Sequence, residues 1–127
     1  MPDATFNPAE TERKDLKSLP GAYVELRRMT YGQTLERRAL MKLSISTRKG
    51  QKDLTGEMAM ANRRIQEYEF KHCIVEHNLT DSEEKLLDLK NPVVLQKLHP
   101  RVGQEIEGYI SDMNNFEDDD EDDDSGN

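Results

Sequence analysis

Residues 54–79 read LTGEMAMANRRIQEYEFKHCIVEHNL, and Leu54, Met58, Ala61, Ile65, Tyr68, His72, Val75 and Leu79 recur there at spacings of 4, 3, 4, 3, 4, 3 and 4. Side chains three and four apart share one face of an α-helix, so this a/d-like stripe predicts a long helix packed along a partner. Phe70, Cys73 and Ile74 widen the apolar face in the second half, which predicts deeper burial there. A stripe of this kind is either the chain's own core seam or a ridge that another helix can occupy.

On the N-terminal side, residues 1–13 carry no apolar periodicity and are expected to be flexible. From Asp15 the pattern changes. Pro20-Gly21 suits the two central positions of a type II turn, and residues 23–28 alternate with a period of two, so a short β-hairpin is expected. Thr30 is a candidate N-cap for a helix through Tyr31, Leu35, Ala39 and Leu43. Glu36 is not three residues beyond Thr30, so a plain cap is expected there. That helix should end near 42–46, where SIST favours irregular backbone, followed by a basic loop at 48–52.

On the C-terminal side, Asn91-Pro92 and His99-Pro100 each look like an N-cap followed by proline in the first helical position. Val93, Val94, Leu95 and Leu98 would make a two-turn helix. Val102, Ile106, Tyr109 and Met113 would form the last amphipathic one, closing at Asn114-Asn115. The fold class expected is mainly α: a small helical domain with one long central helix, an N-terminal β-hairpin and a disordered acidic C-terminal tail. Residues 14–116 form the single domain and 117–127 the tail.

Charge is distributed unevenly. The 127 residues hold 26 acids and 18 bases, and 117–124 are eight consecutive carboxylates. Without them the body counts 18 against 18, so the net charge of −8 belongs to that run, which repels itself and resists collapse. Residues 27–64 carry ten bases against three acids. Arg37, Arg38, Arg48, Lys49 and Lys52 form the candidate basic patch, open to an anionic partner or to the protein's own tail; the plainer reading is a solvated surface. The acidic balance of the whole chain argues against general nucleic-acid affinity.

Hydrophobic content of 34%, with 35% charged residues and no Trp, leaves a thin core for a domain of about 100 residues. Self-association or a partner would add stability. The single Cys73 forms no internal disulfide, Met1–Glu12 lacks the basic-then-apolar order of a signal peptide, and no run of ~18 apolar residues suggests a membrane span. The expectation is a cytosolic protein that touches no membrane.

Catalytic chemistry is poorly represented. His72, Cys73 and His77 offer two or three metal ligands at most, with Cys73 and His77 one helical turn apart, and no second cluster completes the set. His72 falls on the apolar stripe, so a hydrogen-bonded core histidine is the better reading. No phosphate-cradling glycine loop, metalloprotease pair or nucleophile elbow is present. No enzyme, cofactor or metal is expected.

Three stretches, 23–38 (YVELRRMTYGQTLERR), 70–81 (FKHCIVEHNLTD) and 98–106 (LHPRVGQEI), resemble tail assembly chaperones of long-tailed, siphovirus-like bacteriophages. The likeness spans about 15–117 and is to the family's short form. It implies a non-enzymatic, largely helical protein that coats the tape-measure protein and keeps it soluble while the tail tube polymerises. It further implies action in the host cytoplasm, absence from the mature virion, and contact with the tail tube protein. Association with itself and with a longer product of programmed frameshifting is also implied. On that reading the partner-binding residues are Leu54, Met58, Ala61, Ile65, Tyr68 and Val75 of the stripe with Ile106, Tyr109 and Met113 of the last helix. The alternative is a small nucleic-acid-binding regulator whose basic patch within 27–64 is masked by the acidic tail.

Overall fold

The computed structural model describes residues 2–7, 9–50 and 55–116, with side chains described outside 43–61. Its elements run β1 (Glu12–Asp15), β2 (Tyr23–Leu26), α1 (Tyr31–Gly50), α2 (Thr55–Cys73), β3 (Ile74–His77), α3 (Pro92–Leu95) and α4 (Pro100–Asn114). The three strands form an antiparallel sheet in the order β1-β2-β3. The expected mainly-α fold with one long central helix is therefore wrong: helices and a three-stranded sheet share the architecture, and two helices of nearly equal length stand side by side.

The stripe over 54–79 misleads at its second half. Helix α2 stops at Cys73 and the chain enters β3, where Ile74 pairs with Leu26, Glu76 with Glu25 and His77 with Val24. Ile74 and Val75 are β-branched and lose rotamer freedom in a helix. The deciding factor is tertiary, because β2 needs a ladder partner on its second side for its buried backbone groups. The Arg27 N–H donates to the Cys73 carbonyl at 2.9 Å, so the pairing begins at the last helical residue.

The N-terminal hairpin is present, and β1 begins at Glu12, inside the stretch expected to be flexible. Between its strands the Ala22 N–H reaches the Leu19 carbonyl at 3.0 Å, and Gly21 takes a φ of +90°. That is the type II geometry, with proline leading and glycine accepting the left-handed position. The outer strand β1 is Glu-Arg-Lys-Asp throughout, a composition that discourages pairing with another chain's edge.

Two expectations for α1 also need correction. It continues to Gly50, through both the expected irregular stretch and the first residues of the expected basic loop. Ser, Thr and Ile each cost a helix only about 0.7 kcal/mol or less relative to Ala, too little to end it in the Ser/Thr-rich segment. Its start is a reciprocal capping box rather than a plain cap. The Gln33 N–H donates to Thr30 Oγ1 at 3.1 Å, and the Thr30 N–H donates to Gln33 Oε1 at 3.0 Å. The helix pair is antiparallel, since Gln33 meets His72, Glu36 meets Tyr68 and Arg37 meets Glu69.

The short helices start as their sequences suggest. Asn91 caps α3 through the Val93 N–H, His99 Nδ1 caps α4 through the Arg101 N–H at 3.2 Å, and proline follows each cap. Asn115 closes α4 in the left-handed region at φ 57°. The core lies between the sheet, the end of α2 and the inner face of α4. Val24, Leu26, Phe70, Cys73, Ile74, Ile106, Ile110 and Phe116 form its centre. The expected disordered tail, 117–127, lies outside the described residues. Among those described, no helix is long and apolar enough to cross a membrane.

Candidate interaction surface

The stripe residues separate once placed. Leu54 lies outside the described residues, and Met58 and Ala61 sit on α2 where only the backbone is described. Ile65 is buried by the protein's own chain. Tyr68 is half-buried: its hydroxyl donates to Glu36 Oε2 at 2.7 Å, and its ring tilts against His72 at 4.3 Å. Partial burial first, then the Glu36 carboxylate, raise the Tyr68 phenol above its usual range. Val75 sits on β3, not on a helix, and is 49% exposed. Leu79, the last of the stripe, is in the core.

Helix α4 divides likewise. Ile106 is fully enclosed and Ile65 is buried, so neither can offer surface to a partner as expected; both are covered by the protein's own chain. Tyr109 and Met113 are half-buried against the core. The Tyr109 hydroxyl lies 2.9 Å from the Asp15 carbonyl and 3.0 Å from Glu105 Oε2, a tether between α4 and the hairpin.

The basic patch loses a member. Arg37 is only 5% exposed, and its Nε donates to Glu69 Oε2 at 2.9 Å. The Phe116 ring lies 3.7 Å beneath its guanidinium, a cation–π contact sheltered from water. Arg38 and Lys42 follow on α1, with Arg48 and Lys49 near the helix end; Lys52 lies outside the described residues.

The His/Cys group does not hold its expected spacing, because the chain changes from helix to strand between Cys73 and His77. His72 Nδ1 sits 3.1 Å from Gln33 Nε2, and His77 Nδ1 accepts the Leu79 N–H at 3.0 Å. Burial lowers both imidazoles from their usual range and pushes the Cys73 thiol up to about 12, which keeps it protonated. No group of three metal-ligating side chains converges among the described residues.

An apolar opening remains elsewhere. Leu19, Leu79, Leu87, Val94, Leu98 and Val102 line a surface groove of about 440 Å³, with Asp81, Lys97 and His99 supplying charged or polar lining. Leu79 and Val102 are buried and make its floor, while Leu19 stands out at its side. Beside Leu87 and Val94 in the chain, Leu86 is 66% and Val93 61% exposed. The chain matches no family model, no curated protein and no solved structure.

The sequence groups Val93, Val94, Leu95 and Leu98 in one short helix but does not show that Val94 and Leu98 line a groove. Four segments contribute its lining, the β1–β2 connection, residues 79–87, the α3 region and α4, and no periodic signal joins them. Gln33, by contrast, was legible: Thr-x-x-Gln is the capping-box spacing. Glu69, Glu105 and Phe116 carry no signal of their own.

Proposed function

We propose that this protein is a non-enzymatic escort for a helical client, acting as a phage tail assembly chaperone that keeps the tape-measure protein soluble. The observation that carries the reading is the groove at Leu79, Leu87, Val94 and Leu98, an apolar opening next to the point where the stripe of residues 54–79 ends. A groove with an apolar floor and a few polar groups suits the apolar face of an amphipathic helix, whose anchors repeat every three or four residues. The resemblance of 23–38, 70–81 and 98–106 to tail assembly chaperones names the client. Docking therefore moves from the stripe itself to the groove, with exposed Leu19, Leu86 and Val93 as neighbouring contact area. Action in the host cytoplasm, association with a longer form and contact with the tube protein belong to the same proposal.

Nucleic-acid binding is the weaker alternative, since Arg37 is already paired with Glu69. The test is co-expression with the tape-measure protein. The wild type should raise the client's soluble yield and co-purify with it, and Leu19→Lys with Val94→Lys should abolish both while the circular dichroism stays unchanged. Equal yield with and without the chaperone would sink the reading.

A further inference from the structure

We infer that Glu105 is a positioning residue for the apolar groove: its carboxylate latches the β1–β2 connection to α4 and so sets Leu19 as the groove's standing wall. The inference rests on the helical-client reading only for what the groove holds. Three observations carry it. The first is the shape of the connection. The Leu16 N–H donates to the Ala22 carbonyl at 2.9 Å and the Ala22 N–H to the Leu19 carbonyl at 3.0 Å, so residues 16–22 close on themselves. Leu16 and Ala22 are buried at the base of this loop, while Leu19 is 45% exposed. The second is what holds the loop. Among the described residues, every hydrogen bond from 17–19 to another element ends on Glu105. The Lys17 N–H donates to its Oε2 at 2.8 Å, and the Ser18 N–H and hydroxyl donate to its Oε1 at 2.9 and 2.6 Å. The third is where Glu105 stands. It lies three residues beyond Val102 on α4, so the latch and the groove floor share one side of that helix.

A carboxylate that accepts donors from two successive residues fixes both the position and the orientation of the connection, and charge-assisted bonds of this kind are short and strong. Ser18 is next to Leu19, so little backbone freedom remains between the latch and the wall. The Tyr109 hydroxyl, 3.0 Å from Oε2, braces the carboxylate from the following turn of α4. A wall ordered in advance spares a client the cost of ordering a loop on binding. Without the latch, residues 17–19 keep only their own turn, and Leu19 loses its fixed distance from the other lining residues, Val94 and Leu98.

The test measures the wall directly in the full chain. Nitroxides on Leu19→Cys and Lys97→Cys, both groove-lining positions, report the distance between them by pulsed electron resonance; native Cys73 is buried and does not compete for the label. The otherwise wild-type protein should give one narrow distribution. Glu105→Gln turns an acceptor oxygen into an amide donor facing an N–H, and should widen the distribution about twofold. Thr30→Ala loosens α1 elsewhere in the fold and should leave the width unchanged, which separates a latch from general destabilisation. Should Glu105→Gln misfold, Ser18→Ala, which removes only the 2.6 Å hydroxyl bond, must widen the distribution instead. In co-expression, unlabelled Glu105→Gln should capture about tenfold less tape-measure protein than Thr30→Ala. An unchanged width in Glu105→Gln, an equal widening in Thr30→Ala, or undiminished capture by Glu105→Gln would each overturn the inference. A wild type that captures no client sinks the client reading instead, and the two widths still decide whether the latch exists.

Discussion

Arg37 keeps its charge inside the fold, facing Glu69 and resting on Phe116. Removing one ion of a buried pair takes away the charge that offsets the desolvation of the other, so Glu69→Ala should cost about 3–5 kcal/mol of stability. Arg37→Met with Glu69→Leu should cost far less, because both charges leave the low-dielectric interior together. Urea denaturation of the two variants checks the contrast. Phe116→Ala removes a fully buried ring and should cost about 3–5 kcal/mol by the same measurement. None of this was visible in the sequence. Arg37 sits in a run that looks like solvated surface, and only the three-dimensional fold brings residue 69 against it.

At the scale of elements, caps and tethers decide where helices begin and how they attach. Thr30→Ala breaks the capping box of α1 and should lower stability by about 0.5–2 kcal/mol, read as a shift in urea midpoint. Glu105 on α4 is more telling. Its carboxylate accepts the Lys17 N–H at 2.8 Å, the Ser18 N–H at 2.9 Å and the Ser18 hydroxyl at 2.6 Å, which binds α4 to the hairpin connection. Partial desolvation pulls this carboxyl up, but the hydrogen bonds outweigh it and hold it at about 2, against an ordinary 4.5. A depressed folded value means its stabilisation is complete above pH 4.5 and is lost as the pH falls toward 2. Glu105→Gln should flatten that part of the stability–pH curve. The half-buried imidazoles of His72 and His77 act in a higher window. Their folded values lie below 6.5, so the unfolded chain takes up protons first and stability declines as the pH falls below 6.5. Helix starts at Pro92 and Pro100 were legible because proline and its preceding cap are local signals. The end of α2 was not, since a 3–4 spacing continues to match by chance across Val75 and Leu79 after the backbone has become a strand.

Across the whole molecule, the sheet and α4 carry the core, while the α1–α2 hairpin reaches into it mainly through Phe70 and Cys73. Amide hydrogen exchange should therefore be slowest in β2, β3 and the middle of α4. Exchange in α2 as slow before Arg63 as after Phe70 would contradict that division. The apolar spacing of 54–79 was open to two readings, the chain's own seam or a ridge for another helix; Ile65 and Leu79 are buried by the protein itself, and α1 lies alongside α2. Sequence patterns fix which face of an element is apolar and leave open what covers it. The strand that went unseen is β3, four residues whose spacing also fits the helical stripe before them.

The join between β2 and β3 has a consequence for how the protein is born. Two neighbouring strands are separated by the entire helical pair, so residues 23–26 have no second ladder partner until residue 77 has left the ribosome. The contacts between α1 and α2 join residues 32–39 apart, a shorter loop than the sheet must close, so the helical pair can form during that wait. Newly made chains should thus pass through a stage with paired helices and a half-finished sheet, when β2 is briefly an open edge and most vulnerable to misassembly.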